Sequence, residues 1–202
     1  MKPHETRNYL DFYKTHLGHE ILRRETGYVR AWLGDCERIL DVGCGPGVFE
    51  KELQDMDITG IDASPEMIKL AGENSGNRFI IGRAEELPFS DSSFDGVFFI
   101  TSLEFTQDYG KSLDEAARVL KEGGKILILM LNPESQYFRE KLKKGSYIAT
   151  NIKHTDLNAI KDYSSKKFDI TVEYLLGIRG KEVFVSKDPR YASLYVIKGI
   201  KR

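Results

Sequence analysis

Residues 39–53 read ILDVGCGPGVFEKEL, an apolar run, an acid, and glycines at alternate positions, Gly43, Gly45 and Gly47. Glycine admits positive φ and lets another group approach the backbone, because no Cβ stands in the way. A turn generally needs one such residue, so three at alternate positions predict that something lies against the backbone itself. The pattern that follows is helical, and a helix start offers free N–H groups and the positive end of its dipole to an anion. Nineteen residues beyond Gly43 stands Asp62, at the end of the next strand-like run. A carboxylate there can accept hydrogen bonds from both hydroxyls of a ribose. Strand, loop, helix, strand and acid in that order point to a nucleoside-bearing ligand.

The elements that must position these residues alternate along the chain. Strand-like runs lie at 38–42, 58–61, 78–82, 96–100 and 125–131, with helical patterns at 47–55, 64–75 and 110–121 between them. Nearly continuous apolar strands separated by helices predict a parallel sheet covered on both faces, a doubly wound α/β fold. Before the sheet, Tyr9, Phe12, Tyr13, Ile21 and Leu22 have helical apolar spacing, with a break expected at Gly18, between an exposed His16 and His19. After it come helices in NPESQYFREKLKK and from Thr155, then strands at 168–176 and 192–201. KEVFVSK between those strands is either an extra ribbon or a loop. No repeat or Pro-rich linker divides the chain. The expectation is one domain, 1–202, with a cap (1–35), a ligand-binding core (36–131) and a substrate-side region (132–202).

The 202 residues carry a net charge of −1, which gives no global field for nucleic acid or acidic membrane. Two cysteines, Cys36 and Cys44, make no disulfide framework, and a reduced, cytoplasmic chain is expected. The N-terminus does not resemble a signal peptide, and the longest apolar run, ILILML, is too short to span a bilayer. No Cys/His spacing suggests a metal.

DVGCGPG, IDASPEM, GRAEELPFSDSSFD and LDEAARVLKEGGKILIL together resemble the class I S-adenosylmethionine-dependent methyltransferases, in particular the small-molecule type with a methyltransferase domain 11-like core. The likeness covers about residues 36–133 in the family's order. It implies a Rossmann-like sheet of seven strands, mostly parallel with an antiparallel last strand, and a helical N-terminal cap. It also implies S-adenosylmethionine as cofactor and S-adenosylhomocysteine as product. By the same likeness, the Gly43–Gly47 loop with Cys44 packs on the methionine part, Asp41 orients its polar groups, and Asp62 holds the ribose. Ala63, Ser64 and Met67 lie near the adenine or sugar edge, although Ser64 reads first as the N-cap of a helix with Pro65 at its first position. The family commonly has an aspartate for the adenine amino group where this chain has Arg83, in Gly82-Arg83-Ala84-Glu85. Arginine has no acceptor, which leaves the Ala84 N–H and the Glu85 carboxylate for the ring. The glycine spacing G-x-G-x-G also differs from the dinucleotide fingerprint, which argues against a dehydrogenase.

Methyl transfer asks side chains mainly to align an in-line attack and exclude water. Thr101, Ser102 and Leu103 follow strand four, beside the cofactor. Glu104 is open between orienting an acceptor and being a loop charge. In the family an N-terminal segment caps the pocket, so Tyr9 and Tyr13 could face the sulfonium, where ring faces favour positive charge. His154 could be an acid, a base or a structural histidine. The expected partner is a small-molecule methyl acceptor, with no nucleic acid and no membrane, in a monomer or homodimer. Thr-Ser-Leu-Glu replaces the N-P-P-[YF] of enzymes that methylate base amino groups. A protein or RNA methyltransferase and a non-catalytic S-adenosylmethionine-binding regulator are the alternatives.

Overall fold

The computed structural model describes residues 9–143 and 147–202; residues 1–8 of the expected cap and Lys144 lie outside them. Residues 9–13 are helical, and α1 (His16–Leu33) starts afresh at Thr15, whose Oγ1 accepts the Gly18 N–H at 3.0 Å. The break therefore falls at Thr15, three residues before the expected Gly18. Gly18 is needed for another reason: a Cβ there would run into the Phe12 carbonyl, so its absence lets the preceding turn lie against α1. His16 and His19 are both exposed.

The core alternates strand and helix as the apolar runs predict: β1 (Ile39–Val42), α2 (Val48–Glu52), β2 (Ile58–Asp62), α3 (Pro65–Asn74), β3 (Arg78–Ile81), β4 (Phe94–Ile100), α4 (Tyr109–Val119) and β5 (Leu120–Leu131). Then follow α5 (Gln136–Lys143), α6 (Tyr147–Asn151), α7 (Leu157–Ser164), β6 (Phe168–Arg179), β7 (Glu182–Phe184) and β8 (Ala192–Lys201). Strand order is β3-β2-β1-β4-β5-β8-β6-β7. Strands β1 to β5 are parallel, and β8 enters antiparallel between β5 and β6.

The sheet has eight strands, which corrects the expected seven. The added one is β7, from the KEVFVSK stretch, which pairs with an extension of β6 through Gly177↔Phe184 and Arg179↔Glu182. Gly180, at φ +60°, makes the turn between them.

Successive strand residues face opposite layers, as the period of two requires. Val97, Phe99, Ile126, Ile128 and Met130 pack with Leu113, Ala116 and Ile160 of α4 and α7. Phe98, Ile100, Leu127 and Leu129 pack with Ile21, Val29 and Leu33 of α1 and Phe138 of α5. Burying both faces of these strands at about 25 cal/mol per Å² of apolar surface is what holds the sheet. Glu122-Gly123-Gly124, expected from the sequence as a turn, lies within β5, where Gly123 has φ +73° and the β4–β5 register shifts as at a bulge.

Candidate functional site

The strand ends that the sequence singles out open into one cavity of about 1430 Å³. Its floor comes from Val42 and Gly43 after β1, Asp62 after β2, Gly82 after β3 and Thr101 after β4. This is where a parallel α/β sheet accepts ligands.

The three glycines turn out to have different reasons. All have positive φ: +84°, +54° and +73°. A Cβ on Gly43 would collide with Ser102, and one on Gly47 would press on Phe79 and Ala71 at 3.0 and 3.1 Å. Those two are glycine for packing. On Gly45 a Cβ would meet only the edge of Tyr9, at 3.9 Å, and Gly45 lines the cavity. Gly43 and Gly45 both line the cavity, but only at Gly45 does the missing Cβ face open space.

Asp62 is fixed beside it. Its two carboxylate oxygens accept the Gly45 N–H at 3.0 Å and the Ser64 N–H at 2.8 Å. Burial holds its pKa above the usual value, although those two N–H groups pull it down. Each oxygen keeps a lone pair for a further donor. Ser64 caps α3 by accepting the Met67 N–H at 3.3 Å, with Pro65 following. Ala63, Ser64, Met67, Arg83, Ala84 and Glu85 all line the cavity. The Glu85 carboxylate is engaged as well: it accepts the Gln107 N–H at 2.6 Å and pairs with Arg83 at 3.3 Å. It thus ties the loop after β3 to the loop after β4.

Asp41, Cys44, Gly47 and Leu103 sit behind this wall and do not line the cavity. Asp41 is buried against Glu50; burial first and then the Glu50 carboxyl raise its pKa well above the carboxylate range, and burial raises Glu50 to about 7. Keeping at least one of the two carboxyls protonated makes the pair compatible with burial. Burial also pushes the Cys44 thiol up, which keeps it protonated and unreactive.

After β4, Thr101 is held at φ +46° and Ser102 donates its hydroxyl proton to the Val42 carbonyl at 2.6 Å. Glu104 faces away from the cavity. Its Oε1 accepts the Leu131 N–H at 3.0 Å, and its carbonyl accepts the Lys153 and His154 N–H groups. Burial raises it to about 7. His154 is fixed by a 2.9 Å contact from Nε2 to the Thr106 carbonyl and by the Tyr109 ring at 5.0 Å. Both residues staple the loop after β4 in place.

Helices and the antiparallel strands close the other end. Tyr9 and Tyr13 line it, with hydroxyls 3.4 Å apart and rings edge to face at 5.1 Å. Burial raises both phenols above their usual value. Phe12, Tyr137, Leu176, Ile178, Ser193 and Leu194 complete that wall. Leu176 lies at φ +67°, so both walls hold one strained non-glycine residue, Thr101 and Leu176.

The sequence reading missed Glu25, a buried acid of α1 in this wall. Its signal was available: Ile21, Glu25 and Val29 recur every four residues on the helix's apolar stripe. Ser193 and Tyr137 carried no comparable signal.

The donor set fits a nucleoside with a charged tail: a fixed carboxylate with spare lone pairs, a bare glycine backbone beside it, and the Ala84 backbone opposite. Residues 40–128 match the methyltransferase-domain family. An uncharacterised protein of Methanocaldococcus jannaschii is 40% identical over 113 residues, 54% of this chain and 54% of that protein. An O-methyltransferase of Penicillium expansum is 37% identical over 117 residues, 53% of this chain and 42% of that protein. The chain spans about half the length of the curated relatives it matches. A Thermotoga maritima crystal structure, described as a SAM-dependent methyltransferase and possible histamine N-methyltransferase, superposes with a TM-score of 0.84. It is 26% identical, with 97% of this chain and 95% of that one covered.

Proposed function

Since residues 40–128 match the methyltransferase-domain family and the whole chain superposes on a SAM-dependent methyltransferase, we propose that the protein is an S-adenosylmethionine-dependent methyltransferase that transfers a methyl group to a small-molecule acceptor. The observation that carries this reading is the continuity of the cavity. From the Gly45–Asp62 corner the same cavity, about 1430 Å³ in all, runs on to an end walled by tyrosines and aliphatic side chains, which leaves room for another molecule. A regulator that only bound the cofactor would have no use for that chamber.

In this reading Asp62 holds the ribose hydroxyls through its spare lone pairs. Ala63 and Met67 flank the nucleoside, and the Ala84 N–H addresses the ring. Gly45, Thr101 and Ser102 lie along the methionine part. Asp41, Cys44, Gly47 and Leu103 act from behind, shaping the loop without touching the ligand. When bound, the cofactor supplies a methyl group on a positively charged sulfur, already an excellent leaving group. The chain's own residues align the acceptor, exclude water and place ring faces near positive charge. Glu104 and His154 have no part in the chemistry. The names of the relatives include both an O- and an N-methyltransferase, so they do not choose the acceptor atom.

Titration of the folded protein with S-adenosylhomocysteine, followed by a screen of metabolite extracts with methyl-labelled cofactor, tests the reading. Label transferred to a small molecule is the expected result. A folded protein that does not bind S-adenosylhomocysteine would overturn it, and one that binds but transfers label to nothing would favour the regulator.

A further inference from the structure

Glu25 occupies a position in α1 where an amphipathic helix places an aliphatic side chain. It is 3% exposed, lines the cavity, and its Oε2 has no hydrogen-bond partner among the described residues. The groups facing it are phenols: Tyr9, Tyr13 and Tyr137 are each within its electrostatic reach. Nearby, the Lys141 ammonium lies over the Tyr137 and Phe12 rings, at 5.2 and 5.9 Å. Burial pushes the Glu25 carboxyl up to about 8.

An unpaired buried carboxyl is costly to fold, and nothing in the packing requires one here. A guest that brings a cationic or N–H-bearing nitrogen removes that penalty. The surrounding ring faces attract the same charge. Ser193 Oγ, buried and also without a partner, lines the same chamber and offers a second polar contact. Leu176, Ile178 and Leu194 supply the apolar part of the wall, and Thr150 and Lys141 also line the cavity.

We propose that Glu25 binds the methyl acceptor and that the acceptor is an amine, a compact molecule with an apolar or aromatic body and one basic nitrogen. The inference rests on the methyl-transfer reading above. Once Glu25 has given up its own proton to solvent, an amine arriving as an ammonium gives one proton to the carboxylate. The freed nitrogen lone pair then bonds the methyl carbon while the carbon–sulfur bond breaks, its electron pair staying on sulfur. The product leaves as a methylammonium and the cofactor as a neutral thioether. Glu25 returns its proton to solvent, so one proton is released per turnover.

The test uses the protein loaded with S-adenosylhomocysteine and three amine probes: phenethylamine, tryptamine and histamine. Their counterparts are 2-phenylethanol, tryptophol and phenylacetate. Calorimetry should show amines binding at least 30-fold more tightly than the alcohols or the acid. Glu25→Gln, which keeps the shape, should reduce amine affinity 30-fold or more. It should change S-adenosylhomocysteine affinity less than threefold and leave the ligand-free melting temperature no lower. Equal binding of alcohols, no binding of any amine probe, or a Glu25→Gln variant that keeps its amine affinity would each overturn the inference. A variant that loses the cofactor product instead would assign Glu25 to the cofactor and also overturn it. If Glu25→Gln does not fold, the wild-type preference between amines and alcohols decides alone. A wild-type protein that binds no S-adenosylhomocysteine would fail the methyl-transfer reading itself, which is a separate result from failure of the amine panel.

Discussion

The two ends of the cavity are built in different ways. The strand-end corner is mostly backbone: a left-handed loop, an open glycine, and side chains already bonded to main-chain groups. Asp62 accepts two N–H groups, Glu85 accepts the Gln107 N–H, and Ser102 donates to the Val42 carbonyl. The helical end is side chains from distant parts of the chain, and it leaves Glu25 Oε2 and Ser193 Oγ without partners among the described residues. Backbone recognition is rigid and tied to the fold. Side-chain recognition can be altered one residue at a time without disturbing the sheet. Such a division suits an enzyme with one fixed ligand and one that sets its specificity.

Substitutions at matched positions sharpen that contrast, the largest effect coming from the glycine loop. Gly45→Val should abolish S-adenosylhomocysteine binding in calorimetry. Its stability cost should be only the ~1–2 kcal/mol of a side chain in left-handed backbone. Gly43→Val should instead lower the melting temperature most, because its side chain would meet Ser102. If the two variants unfold alike, the claim that only Gly45 serves the ligand fails. Next in size, Asp62→Ala should weaken cofactor-product binding by about 1–3 kcal/mol, the range for leaving hydrogen-bonding groups unpaired. Unchanged affinity would remove Asp62 from the site.

A pH series compares the buried acids. Glu25 has a folded pKa of about 8, and Glu50 and Glu104 about 7, all above the ordinary 4.5. The folded state holds these protons more tightly than the unfolded chain does. Their contribution is therefore complete below about pH 4.5 and is lost as pH rises through 7 and 8. Denaturant unfolding without ligand should show stability falling from pH 5 to 8. Glu25→Gln should flatten the upper part of that fall, and Glu50→Gln the lower. A profile rising over this range would contradict the buried, protonated state of these groups.

The smallest effects should differ in sign between two serines. Ser102→Ala loses a made hydrogen bond and should cost about 1 kcal/mol. Ser193→Ala removes a buried hydroxyl with no partner and should leave stability unchanged or raise it by up to about 1 kcal/mol. Urea midpoints of the two variants, measured side by side, check this.

The strand-end corner was legible in the sequence because its signals are local. The glycine pattern, the spacing to Asp62 and the Ser64–Pro65 cap each act within a few residues, and the apolar runs place all five parallel strands. The helical end was legible only in outline. Tyr9 and Tyr13 were expected there from the N-terminal cap that the family resemblance implies, their spacing giving only the helix. Tyr137, Leu176 and Ser193, however, meet there only through tertiary packing, which no local pattern records. Glu104 and His154 illustrate the converse: residue type suggested chemistry, while main-chain donors and a carbonyl had already engaged them. The eighth strand was ambiguous because three residues are too few to show a period, and its pairing depends on Gly180 turning the chain back.

The placement of β8 has a consequence for how the molecule comes into being. Strands β1 to β5 form a parallel block in which only β5 has a partner outside the set, β8, so a chain growing from its N-terminus can assemble the block as it emerges. The β6–β7 ribbon is different: β6 reaches the rest of the sheet only through β8, which follows it in the chain. During synthesis the corner around Gly45 and Asp62 can take shape while Leu176 and Ile178 still wait for an edge to join. The chamber wall that holds Ser193 is complete only once β8 has paired with both β5 and β6.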